Sequence, residues 1–146
     1  MGVRVSSRLY TPELLGLATG LAAFPLTDDL PLRAEARSRT CGSTIVLGLA
    51  LDDRGLVSGV GLKVSACAIG QASAALLAQA IRGHDPAYLC RMGEALERWL
   101  AGTGELPAWR GIEALVPARD HAGRHGALLL PWTAASKALS HSATAG

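Results

Sequence analysis

Aromatic side chains are scarce in this sequence. Phe, Tyr and Trp make up 4% of its 146 residues, against 49% hydrophobic residues overall. A core must therefore be assembled in thin layers from Leu, Val, Ile and Ala. Concentrated charge is missing as well: charged residues are 18%, the net charge is +2, and no five like charges occur in a row. That balance excludes a disordered chain and leaves no footprint for nucleic acid or an acidic membrane surface. The arginines of RAEARSR (Arg33, Arg37 and Arg39) read as a solvated strand or loop. No secretory leader is expected, because Glu13 interrupts the apolar stretch before Pro25 and no small-residue cleavage site follows. Cysteines number three, Cys41, Cys67 and Cys90. An odd count without a leader argues against a disulfide framework and for a reducing, cytoplasmic compartment. Neither Gly-x-Gly-x-x-Gly nor Gly-Lys-Ser is present, Gly-x-Ser-x-Gly is absent, and no calcium-loop spacing follows Asp52 and Asp53.

The one long uncharged run lies between Lys63 and Arg82. It is rich in Ala and contains Ser65, Gln71, Ser73 and Gln79, so its transfer into lipid is weakly favourable and a buried core helix is the better reading. The length suits one domain spanning 1–146. Thr11-Pro12-Glu13 supplies a hydroxyl cap, a first-turn proline and a first-turn acid, which predicts a helix over about 11–24. Two period-two runs follow, STIVLGLAL with Ile45, Leu47, Leu49 and Leu51 on one face, and LVSGVGLKV with Leu56, Ser58, Val60, Leu62 and Val64 on one face. Asp52 to Gly55 joins them as a turn, and a short strand in EARSRT adds a third member, so the sheet is placed at about 35–64. From Ala68 the rhythm is helical and stops at Gly83 as a C-cap. Asp85-Pro86 starts another helix that ends at Gly102. After a short helical turn and a glycine-interrupted loop, a last helix covers LLLPWTAASKALSH with Pro131 in its first turn, and the tail SATAG frays; the helical part spans about 68–141. Strands grouped together and followed by grouped helices give the α+β class: an N-terminal helix, a three-stranded antiparallel sheet, and C-terminal helices on one face.

Cys41 and Cys67 flank the hairpin, one entering its first long strand and the other leaving its second. An antiparallel hairpin returns its ends to the same edge, so the two thiols are expected at one end of the domain. Cys67 also starts a helix, where unpaired N–H groups favour a thiolate, the form that soft metals and sulfur chemistry require. Each thiol can alternatively be a small buried hydrophobe. Cys90, mid-helix beside Leu89, reads as a core thiol, His84 as a helix-start loop residue, and Trp99, Trp109 and Trp132 as packing anchors.

The segment from Thr40-Cys41-Gly42-Ser43 through the hairpin to Ala66-Cys67-Ala68 and Arg82-Gly83 resembles the iron–sulfur cluster assembly scaffolds of the U type (NifU N-terminal part, IscU, SufU). Ile112-Glu113-Ala114-Leu115, Pro117-Ala118-Arg119, Trp132 and Lys137-Ala138-Leu139 look like the SufU C-terminal region, the type this chain is most similar to. Upstream of Cys41 the family's Asn-Pro element is not evident. The resemblance implies a carrier rather than an enzyme. In the family, three converging cysteines and an aspartate bind zinc or a nascent [2Fe–2S] cluster, with a cysteine desulfurase as donor and cluster-recipient proteins as acceptors. Cys41 and Cys67 carry over. Ser43 stands where the family has the aspartate, Ala127 where it has the third cysteine, and Gly126 where it has the histidine, with His125 one place away. The implied metal and cluster ligands are thus Cys41 and Cys67, with Ser43 and His125 as additional positions and His121 in the same loop. The missing ligands are to come from that loop, from a partner or small thiol, or from a second copy in a homodimer. No nucleic acid or membrane partner is expected. Two other readings stay open: a metal-free interaction module that kept the fold, and a thiol-dependent enzyme using Cys41 or Cys67.

Overall fold

The computed structural model describes residues 9–39 and 42–145. Helix α1 (Pro12–Thr19) opens as the sequence dictates: the Thr11 hydroxyl accepts from the Leu14 N–H at 3.1 Å, and Pro12 occupies the first turn, where its missing N–H costs nothing. A 3-10 turn, Gly20–Ala23, extends it. Strands β1 (Leu32–Arg37), β2 (Thr44–Leu51) and β3 (Val57–Ser65) form an antiparallel sheet in the order β1-β2-β3. Helices α2 (Ala68–Ala80), α3 (Pro86–Leu100) and α4 (His125–Ala145) follow, with 3-10 segments Ile112–Asp120 and Ala122–Arg124 between the last two. The α+β order predicted from the sequence holds.

One sheet face carries Ala34, Ala36, Ile45, Leu47, Leu49, Val60 and Leu62, all buried; α2 and α4 pack against the sheet, and their small side chains bring the layers close. The other face is covered by residues 24–30. Gly48 and Gly61 are cross-strand partners, and both lie under this loop. A Cβ on Gly61 would meet the Pro25 carbonyl oxygen and, at 2.9 Å, the Leu26 Cα, so only glycine lets the loop lie flat on the strands. The loop is held by the Leu62 N–H, which donates to the Phe24 carbonyl at 2.9 Å. Arg33 donates to the Leu30 carbonyl at 3.1 Å and also to the Thr27 carbonyl. Arg33 is therefore a clamp in addition to a solvated strand residue.

Four local expectations need correction. A bulge between Ala50 and Leu51 resets the hairpin register, so Val57 pairs with Leu51 and is buried, while Ser58 faces solvent and does not share the inner face with Val60. Gly83 has φ +88° but is not the C-cap of α2; Ile81 is, and the Gly83 N–H donates to the Val57 carbonyl at 2.9 Å, tying the α2–α3 connection to β3. Helix α4 begins at His125 rather than Leu128, which puts Pro131 inside it and leaves the Ala127 carbonyl without its usual i+4 N–H partner. The last residues continue α4 as far as Ala145 rather than leaving it at about 141.

The three tryptophans are anchors, as their spacing suggested. Trp109 donates to the Leu76 carbonyl at 2.8 Å, Trp132 donates to the Ser73 hydroxyl at 3.1 Å, and Ser73 donates to the Leu128 carbonyl at 2.6 Å. This buried relay ties α2 to α4 and to the loop before the 3-10 segment, with each polar atom partnered inside the core. Among the described residues no helix is long and apolar enough to cross a membrane.

Candidate functional site

The chemistry-bearing positions gather where the sheet gives way to helices. Thr44 pairs with Ser65, so Ser43 and Ala66-Cys67 leave the sheet at the same end. Cys67 is the N-cap of α2, with extended dihedrals (φ −66°, ψ 171°). Its side chain makes no capping hydrogen bond, whereas Thr11 and Asp85 cap their helices with oxygen acceptors. Sulfur is a weak acceptor, so the first-turn N–H groups of α2 are turned toward Cys67 without an oxygen from that side chain. Cys67 is half-buried, on the margin of the core rather than sealed in it. Cys41 lies outside the described residues.

Ser43 is 3% exposed, and its carbonyl accepts from the Ser38 N–H at 2.8 Å, closing the β1–β2 connection. His125 is not in a swinging loop, contrary to expectation: it is the first residue of α4, and its Nε2 donates to the Arg119 carbonyl at 2.7 Å. That bond directs the Nε2–H at the Arg119 carbonyl and leaves Nδ1 turned away from it. His121 sits at the break between the two 3-10 segments, its N–H donating to the Ala118 carbonyl at 3.0 Å. Ala127 is fully buried. It meets α2 at Gly70, where an added Cβ would lie 3.3 Å from the Ala127 carbonyl and 3.4 Å from its methyl. The same Cβ would lie 2.8 Å from the Ala66 methyl, one residue before Cys67. Ala127, the position the resemblance equates with a third cysteine, therefore abuts the start of α2 with a methyl group. Gly70 was missed in the sequence; a lone glycine inside an alanine-rich helical run was its only signal.

Among the described residues no three His, Cys, Asp or Glu side chains converge on a common point. Among the described residues, one half-buried thiol, a buried serine, a pinned histidine and a methyl do not make a four-coordinate metal site. Cys90 also departs from expectation. It is half-buried and lines a cleft with Glu94, Glu97 and Trp132, because the α3 face carrying it looks into the seam with α4 rather than into the core. His84 stacks on Tyr88 at 4.4 Å and tilts onto Trp109 at 5.2 Å, so it is a packing element at the start of α3.

The sequence matches no family model, and no curated protein sequence matches it. Its fold does match solved structures. A nitrogen-fixing NifU-like protein (N-terminal) from Brucella abortus superposes with a TM-score of 0.89 and 26% identity, over 97% of this chain and 99% of that one. A protein described as an iron–sulfur cluster assembly scaffold for the SUF system, from Fervidobacterium islandicum, superposes with a TM-score of 0.78 and 21% identity, over 87% and 93% of the two chains. A hypothetical protein of known structure gives a TM-score of 0.70 at 19% identity. The chain thus shares the fold of NifU-like (N-terminal) and SufU-like proteins of known structure.

Proposed function

We propose that this protein is an iron–sulfur cluster assembly scaffold or sulfur acceptor, a carrier that handles sulfur, iron or zinc as cargo through Cys41 and Cys67. The observation that carries this reading is Cys67 itself: a half-buried thiol at the N-cap of α2, uncommitted to capping, in a fold matching a NifU-like protein over 97% of the chain. Backbone N–H groups at a helix start favour an anion there. In sulfur acceptance the Cys67 thiolate attacks the outer sulfur of a donor's persulfide. A new S–S bond forms on Cys67, the donor's S–S bond breaks, and the donor cysteine leaves as a thiolate. The donor is a cysteine desulfurase and the recipients are apoproteins that take up the cluster. Cargo held at two thiolates needs further ligands, which a second copy or a partner supplies, with His125 Nδ1 and Ser43 as further positions. Compartment is assigned on the same footing, as cytoplasmic.

The test is metal and acid-labile sulfide content after anaerobic reconstitution of wild type, Cys67→Ser and Cys90→Ser. Loss of even an outer-shell group costs about 10–100-fold in metal affinity, so Cys67→Ser should lose at least that much while Cys90→Ser stays at wild-type level. Equal metal in wild type and Cys67→Ser removes the proposal. One observation favours a second reading, a metal-free interaction module: Ala127 fills the third ligand position with fully buried methyl packing. Wild type without metal after reconstitution, with Cys67→Ser unchanged in Tm, selects that reading.

A further inference from the structure

Beside this junction the molecule carries a groove that has only His125 in common with the proposed ligand set. It opens where β1 ends and α4 begins, with a volume of about 640 Å³, and its lining includes Arg37, Arg39, His125, Leu129 and Leu130. It continues along the seam between α3 and α4 into a narrower cleft of about 190 Å³ that reaches Cys90 and Trp132. Glu97, Leu129 and Thr133 line both parts, so the two are one channel. From His125 to Ser136 α4 advances roughly 16 Å at about 1.5 Å per residue, the span of about five residues of extended chain.

Charge is distributed unevenly along this channel. The mouth has two exposed guanidiniums, Arg37 and Arg39, and neither has an ion-pair partner among the described residues. Glu94 lines the inner part alone, and Glu97 lines the stretch common to both. Apolar side chains line the channel along its length, Leu130 at the mouth, Leu129 where the parts meet and Trp132 within. An inorganic anion would use the mouth but not the apolar lining. A basic segment would be repelled at the mouth, and a uniformly acidic one at the inner end.

We propose that this channel docks an extended segment of a partner protein whose leading end is acidic, whose middle is apolar, and whose far end is basic. Its carboxylates sit on Arg37 and Arg39, its apolar side chains on Leu129 and Trp132, and its cation near Glu94 and Glu97. The channel starts at His125 and Gly126, immediately before the Ala127 that packs on the first turn of α2. A docked partner therefore lies next to the helix end capped by Cys67. The docking needs neither metal nor Cys67, so it stands or falls separately from the scaffold reading.

The experiment is fluorescence anisotropy with the full chain and a fluorescein-labelled Asp-Asp-Leu-Leu-Lys peptide. The reversed peptide Lys-Leu-Leu-Asp-Asp and inorganic phosphate at matched ionic strength are the controls. Arg37→Glu/Arg39→Glu should weaken binding roughly tenfold or more, since like charges face each other in that complex. Arg37→Lys/Arg39→Lys should stay within about threefold at low salt. Thr133→Trp should block the channel where its two parts meet. The arginines are exposed, so their variants keep the wild-type circular dichroism; if Thr133→Trp fails to fold, the arginine variants decide alone. The proposal is overturned by absence of binding at millimolar peptide, by wild-type affinity in the double reversal, by equal affinity for the reversed peptide, or by displacement with phosphate.

Discussion

A single carboxylate organises the tight end of the hairpin. Asp52 accepts from the Leu56 N–H at 3.1 Å and the Arg54 N–H at 2.9 Å, and these bonds, with Leu56 foremost, hold its carboxyl below the ordinary value of 3.8. A depressed carboxylate stabilises the folded state above its unfolded value and loses that contribution as pH falls through its folded value. Asp52→Asn should therefore lower Tm at pH 7, and the gap from wild type should narrow as pH falls below 3.8. Thermal melts between pH 7 and pH 2.5 check this; a constant gap would mean that the charge is not involved. Asp52 was legible as a turn former because Asx side chains bond to backbone N–H groups two to four residues on. Cys67 was legible for a similar reason, since the change from period two to helical period fixes where a helix starts. Cys90 was not, because sequence spacing places a residue on a helix face without saying which neighbour that face meets.

Whole elements were readable where local rules act alone. The caps of α1 and α3, the two long strands and the run of α2 follow from Thr11-Pro12, Asp85-Pro86 and the alternation of Ile45 through Val64. Register within the hairpin was not, because the bulge at Ser58 depends on how the turn and the α2–α3 connection meet β3. The loop over Gly48 and Gly61 was likewise invisible, since nothing in Pro25–Leu30 reads as a lid for a sheet. It makes a graded prediction. Gly61→Ala forces the loop off the strands and should cost roughly 1–3 kcal/mol, as overpacking does, or roughly 3–10 °C in Tm for a domain of this size. Gly55→Ala has no neighbour within 4 Å, and only its φ of +81° is strained, so it should cost less, roughly 1 kcal/mol. Calorimetry of the two variants tests the order; a smaller loss for Gly61→Ala would contradict the close packing.

For the molecule as a whole, the likeness to the U-type scaffold fold was legible from motif order. Ser43 and Ala127 are departures visible in the sequence. Their physical meaning, a buried serine and a methyl wedged against Gly70, required the packing of α4 on α2. On the proposed reading Cys41 and Cys67 supply two thiolates per chain, so a four-thiolate [2Fe–2S] cargo is shared by two copies. Sedimentation of cluster-loaded protein should then show a dimer that reverts to monomer on chelation, and a loaded monomer would dispose of the shared site.

The borders of the sheet limit how such copies can meet. On one side the Lys137 ammonium reaches the Glu35 carbonyl at 2.7 Å. On the other, Phe24 and His84 carbonyls take the Leu62 and Val57 N–H groups, and Gly83 takes the Val57 carbonyl. A newcomer strand finds the outer flank of β3 bonded at Val57 and Leu62 and the Glu35 carbonyl of β1 taken, which guards against edge pairing. On the proposed reading, two molecules sharing cargo meet through the junction that carries Ser43 and Cys67, away from the flanks of the sheet.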